Sequence, residues 1–146
     1  MGVCATLFGR LVTSTVPHPA TSLQHGTNHD TADILAKQGF DHRVAQLTGL
    51  YGAGSYFADA FCKANQYAQT PNARGQHCVL YCRVLAGHAY RTKKTHQHAR
   101  RPPDKVASDP TKGTYDSIYA EIGVANGGGQ KHNEFIVFEN NQVYRE

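Results

Sequence analysis

Long apolar runs are missing from these 146 residues. A membrane-spanning helix needs about 20 consecutive apolar residues, and no stretch approaches that length. The N-terminus lacks the basic start and sustained apolar stretch of a secretory signal. Framework spacing is absent from the four cysteines, Cys4, Cys62, Cys78 and Cys82. They read as free thiols in a reducing compartment, which places the protein inside the cell, in cytoplasm or nucleus. Metal-ligand spacing is wanting too. His77, Cys78 and Cys82 fall on one apparent strand, where positions four apart are separated by about 13 Å and cannot share an ion. His88, His96 and His98 lie in a loop, and no metal is expected. There are no internal repeats. Gly52 and Gly54 lack the third glycine of a dinucleotide fingerprint, and no strand–helix unit surrounds them, which excludes a Rossmann site.

What is present fits one domain, with 40% hydrophobic and 18% charged residues. A chain of this size buries about 70% of the surface its unfolded form exposes. Net charge is +4 and the pI about 8.9, with the excess gathered in Arg91–Arg101 (RTKKTHQHARR). Such a run is a solvated surface, or it attracts the phosphates of a dinucleotide or a nucleic acid. Met1, Gly2 and Thr6 fit an N-myristoylation pattern and Cys4 is placed to take palmitate, a two-lipid anchor if both are used.

Thr31 to Gln38 predicts a short helix with Asp30 as cap, Ile34 and Leu35 facing inward and Gly39 as its end. Asp59 to Gln69 predicts a second, stopped before Pro71. Cys78–Leu85 (CVLYCRVL) and Phe135–Phe138 (FIVF) predict buried strands, with a return at Gln142–Tyr144. His88 to Asn133 reads mostly as loop, holding Pro102, Pro103, Pro110 and Gly127–Gly129. Strands interrupted by short helices imply an α+β fold.

Four segments carry candidate chemistry: Leu23–Thr27 (LQHGT), Gly39–Asp41 (GFD), Gly52–Ala58 (GAGSYFA) and Asn133–Phe138 (NEFIVF). The first is a strand end whose glycine admits a ligand to the backbone, or a structural histidine in a strand. Glu134 directly precedes a buried apolar strand, where a carboxylate is costly without a task, unless it is an ordinary strand-edge charge. In this order and at these separations the four segments closely resemble the catalytic domain of the poly(ADP-ribose) polymerase type, which carries a His–Tyr–Glu triad. The resemblance spans about residues 22–146 and is supported by Lys63–Tyr67, Cys82–Leu85 with Gly87, Pro102 and Pro103, Tyr115–Ser117 and Asn141–Tyr144.

The resemblance implies a split antiparallel sheet with short helices, an N-terminal segment over 1–22 and a catalytic domain over 23–146. It implies NAD+ as co-substrate and a protein acceptor, with the chain itself among the candidates. His25 would bind ribose hydroxyls, and Gly26 would offer its backbone to the nicotinamide carboxamide. Thr27 would lie beside the adenosine half, and Tyr56 and Tyr67 would sandwich the nicotinamide ring. Phe57, Ala58, Lys63 and Ala64 would border the same pocket. Glu134 would hold the 2″-hydroxyl of the nicotinamide ribose. The chemistry explains these types. Nicotinamide in NAD+ is a pyridinium, held by aromatic faces through cation–π attraction of about 0.5–2 kcal/mol. Cleavage leaves positive charge on the ribose, and a fixed carboxylate there favours the transition state over the ground state.

The chain departs from the family pattern at Ala64, where the family usually carries a serine bonded to the nicotinamide carbonyl. In the family a glutamate at the place of Glu134 accompanies chain elongation, together with an acceptor-side loop in which Gly127–Gly129 would lie. Three other outcomes stay open at this level: an NAD glycohydrolase, transfer to nucleic-acid ends through Arg91–Arg101, and a module that binds NAD+ or ADP-ribose without turnover.

Overall fold

The structure is a computed structural model describing residues 20–123 and 131–144 in full and the backbone of 3–6. The lipidation pattern at Met1 and Gly2 and the run Gly127–Gly129 lie outside the described residues. Eight strands form one sheet: β1 (Val3–Thr6), β2 (Thr21–Thr27), β3 (Ser55–Ala58), β4 (His77–Val84), β5 (Ala89–Thr92), β6 (Ser117–Ala120), β7 (Glu134–Val137) and β8 (Val143–Tyr144). Their order is β1-β4-β2-β3-β7-β6-β5, with β8 also paired to β4. The central pairs are antiparallel, and the outermost, β1 with β4 and β5 with β6, are parallel. The α+β architecture expected from the sequence is the one observed.

The sheet has a seam. β2 and β4 pair over seven residues and β3 and β7 over four, but β2 meets β3 only at Gln24 and Ala58. Two half-sheets are thus joined by one thin contact, which is the split the resemblance implied.

Helix α1 (His29–Gln38) is capped by Asn28, whose side chain accepts from the Thr31 N–H at 2.8 Å. The expected cap, Asp30, instead occupies the first turn, where its charge favours the helix dipole. Gly39 ends the helix with φ +84, and its N–H bonds the Leu35 carbonyl at 2.9 Å. A glycine adopts that left-handed geometry without Cβ strain. Ile34, expected inward, is 51% exposed, and Ala32 is the helix's buried residue. The second expected helix is shorter: α2 (Phe61–Ala64) passes into a 3-10 turn over Asn65–Tyr67.

The stretch read as loop holds β5 and β6. Each has only four residues, and pairing across the chain forms them: Ala89 with Ser117, and Ser117 in turn with Val137. The Ser117 hydroxyl donates to the Ala86 carbonyl at 2.6 Å in a fully buried setting. Among the described residues no helix is long and apolar enough to cross a membrane.

Alternation sorts the core onto two faces. Leu23, Leu80, Cys82, Val84 and Phe57 pack with Ala32, Leu35 and Phe40 on the α1 side. Val79 packs with Ala64 and Ala68 on the α2 side. Tyr51, Ile118, Ala120, Ile136 and Phe138 form a further cluster, with Tyr56 against it.

Candidate active site

A cleft of about 1040 Å³ lies over the seam, at the large end of small-ligand pockets. His25 from β2, Tyr56 from β3 and Glu134 from β7 all line it. Pairing alone would not predict this. Gln24, Ala58 and Glu134 stand in register, so their side chains share a face, whereas His25 is one residue along and turns to the other. There it meets the rings of Phe40 at 5.0 Å and Phe57 at 5.5 Å. Residues from opposite faces reach one cleft because the half-sheets touch at a single pair.

The seam also sets the histidine's chemistry. His25 Nδ1 lies 2.8 Å from the Tyr56 carbonyl oxygen. A carbonyl only accepts, so Nδ1 carries the proton, and in the neutral ring Nε2 is left as an acceptor. Burial pushes the imidazole pKa below its ordinary value, outweighing the carbonyl's opposite pull. His25 is therefore a neutral acceptor at pH 7, suited to a hydroxyl.

Tyr56 is held at its tip. Its hydroxyl donates to the Gly52 carbonyl and accepts from the Tyr51 N–H, both at 2.9 Å. Burial raises its pKa well above the ordinary phenol value, opposed by the Tyr51 N–H and aided by Glu134. It is a neutral, fixed ring that keeps its phenol proton. Glu134 is 4% exposed, and Lys63 Nζ stands 3.4 Å from its Oε1. The same Nζ reaches the Tyr67 hydroxyl at 3.3 Å and lies 5.2 Å from that ring's centre. Burial works against the Lys63 charge, but Glu134 and Tyr67 overcome it and raise its pKa. The pair sets an ammonium beside the carboxylate at the cleft wall.

Gly26, Phe57, Ala58, Ala64 and Tyr67 also line the cleft, and Tyr67 is 59% exposed at its rim. Thr27 is absent from the lining: it ends β2, 9% exposed, paired with Cys78. The structure gives Gly26 a further reason to be glycine. A Cβ there would fall 1.7 Å from the Ala64 carbonyl oxygen, so helix α2 lies directly on that backbone.

The sequence assigned no site role to two parts of the lining, Gln24 within Leu23–Thr27 and the segment from Gly39 to Leu50, although Gly39–Asp41 belongs to the second motif. Asp41 caps a 3-10 turn over His42–Val44 and is held at a pKa of about 2, chiefly by its hydrogen bonds from Arg43. His42 is tied through its N–H and Nδ1 to Asn140 Oδ1. Capping residues such as Asp41 are legible in a sequence, but which cavity they border is not.

The basic run is partly neutralised. Arg91 pairs with Glu121 at 2.8 Å and Arg101 with Asp104 at 2.6 Å. Its backbone braces the cleft wall, with His96 N–H on the Leu50 carbonyl and Ala99 accepting from Ala53, both at 2.8 Å. Cys78 and Cys82 are buried on the α1 side and His77 bonds the Ala68 carbonyl. Among the described residues no three metal-ligating side chains are grouped.

Residues 15–146 match the family model of the poly(ADP-ribose) polymerase catalytic domain. The chain is 33% identical over 125 residues to the protein mono-ADP-ribosyltransferase PARP12 of Mus musculus. That match covers 85% of this chain and 16% of the mouse protein, so the chain spans a small part of its relative's length.

Proposed function

Because the chain belongs to the poly(ADP-ribose) polymerase catalytic domain family, we propose that it breaks NAD+ at the nicotinamide–ribose bond and passes ADP-ribose to a protein side chain, its own included. Membership makes it an ADP-ribosyltransferase domain with NAD+ as co-substrate. The observation carrying the proposal is the convergence of His25, Tyr56 and Glu134 on one cleft, with Lys63 beside the carboxylate.

His25 Nε2 accepts from a ribose hydroxyl and fixes the dinucleotide across the seam. The rings of Tyr56 and Tyr67 face the pyridinium. Glu134 accepts from the 2″-hydroxyl of the nicotinamide ribose. As the C1″–N bond breaks, its electron pair leaves with nicotinamide and positive charge grows on the sugar. A preorganised carboxylate in a dry wall is worth most at that moment. The acceptor's lone pair then bonds C1″ and its proton is released to solvent.

Labelled NAD+ tests this. Protein labelling and nicotinamide release are expected, and Glu134→Gln should lower kcat by about 10²–10³, the effect of removing one preorganised charge-stabilising group. Undiminished transfer by that variant refutes the mechanism. The product also separates the related outcomes. Free ADP-ribose without labelled macromolecule means water is the acceptor. Label removed by nuclease rather than protease means transfer to nucleic acid, which would draw on Lys93, Lys94 and Arg100. The mouse relative's name ascribes single transfer to that protein. Glu134 here supplies the carboxylate associated with elongation, so product length is read from the same reaction.

A further inference from the structure

We infer that Gln24 is a substrate-contacting residue whose side-chain amide pairs with the carboxamide of the nicotinamide group. The inference rests on NAD+ binding in the cleft, as proposed above. Alternation along β2 puts Leu23 and His25 on the α1 side and Gln24 and Gly26 on the other. The Gly26 contact with the Ala64 carbonyl identifies that other side as the one covered by α2. Register then places Gln24 level with Ala58 and Glu134 on the same face. Gln24 thus shares the face of the cleft on which the carboxylate lies, and it lines that cleft while keeping partial exposure.

Its side chain is unexpected there. Gln24 Oε1 is buried and has no hydrogen-bond partner among the described residues. A buried amide oxygen left unpaired is costly and rare in native proteins. Ala58, level with Gln24 across the seam, brings only a methyl group to this face. Retaining a carboxamide at such a place makes sense if a ligand completes it. A primary amide offers two donors and an acceptor, the complement of another primary amide. Nicotinamide supplies the one carboxamide of NAD+. The terminal torsion of glutamine is broad and roughly two-fold, so the amide can turn its oxygen or its NH2 toward the ligand without leaving its rotamer.

The test uses binding, independent of turnover. Nicotinamide and ADP-ribose are titrated separately into the wild-type chain, Gln24→Met and Gln24→Leu, followed by NMR and calorimetry. Both variants should raise the Kd for nicotinamide about five-fold, the ratio one neutral hydrogen bond of about 1 kcal/mol supplies. Affinity for ADP-ribose, which lacks the carboxamide, should stay within about two-fold. Unchanged nicotinamide binding overturns the inference. An equal loss for both ligands also overturns it, by making Gln24 a packing residue. A wild-type chain that binds both ligands but never cleaves NAD+ would refute the transfer reaction and leave this inference standing.

Discussion

Replacing Gly26 by alanine is the sharpest test of how this site is built. The new Cβ would stand 1.7 Å from the Ala64 carbonyl oxygen and 2.6 Å from its carbon, where ordinary van der Waals contact begins near 3.4 Å. Both partners are backbone, so no side chain can swing away. Helix α2 would have to retreat by roughly the difference, about 1.7 Å, or β2 would have to bend. Overpacking of this kind typically costs 1–3 kcal/mol, and a backbone clash belongs at the upper end, about 3 kcal/mol. For a chain of this size that lowers Tm by roughly 10 °C. The displacement also carries Lys63 with its helix, stretching the 3.4 Å contact to Glu134. NAD+ cleavage should therefore fall well beyond what stability alone explains. Gly39→Ala is the control. Gly39 has a φ of +84 with ψ −178 and nothing within 4 Å of the added Cβ, so backbone strain of about 1–3 kcal/mol is expected with no displacement of α2, and nicotinamide release should fall no further than stability explains. Thermal unfolding of both variants, with nicotinamide release at a temperature where each is folded, provides the comparison. A Gly26→Ala protein melting within about 2 °C of wild type would refute the close approach of α2 to β2.

Tyr56→Phe should leave the Tyr51 N–H and Gly52 carbonyl without their shared hydroxyl, costing about 1–3 kcal/mol; denaturant unfolding reads the loss, and KM for NAD+ should rise as the cleft wall loosens. His25 makes stability depend on pH. Its folded pKa is depressed from 6.5, so below that value the unfolded chain takes a proton the folded chain refuses. The contribution is whole above pH 6.5 and declines as pH falls, by up to about 2 kcal/mol at pH 5. Urea midpoints at pH 7.5 and 5 should differ less in His25→Gln than in wild type, and equal slopes would show that the ring is not held neutral.

The pieces of this protein with strong local signals were legible in its residues. β4 and β7 are runs of strand formers, and β7 buries Ile136 on one face of the sheet and Val137 on the other. Helix α1 ends at the glycine expected to end it. His25, Tyr56, Lys63, Tyr67 and Glu134, which line the cleft, could be singled out because a motif is a local pattern of types and spacing. Other features depended on partners far along the chain. β5 and β6 are four residues each, too short to announce themselves, and exist through hydrogen bonds to one another and to β7. Asn28 wins the cap from Asp30 by backbone geometry that composition does not encode. Ile34 is left exposed because the face of α1 that meets the sheet is set by docking.

What the residues determined by themselves was a set of chemical types in order: an imidazole, a phenol, an ammonium and a carboxylate, each within a short strand or helix. What only the tertiary structure decided was their meeting place. Strict alternation would hold His25 and Glu134 on opposite faces of a continuous sheet, and they line one cleft because β2 and β3 join at a single pair. That weakness in the ladder is a property of how two half-sheets pack, and packing is a balance of long-range contacts that no short stretch of sequence carries.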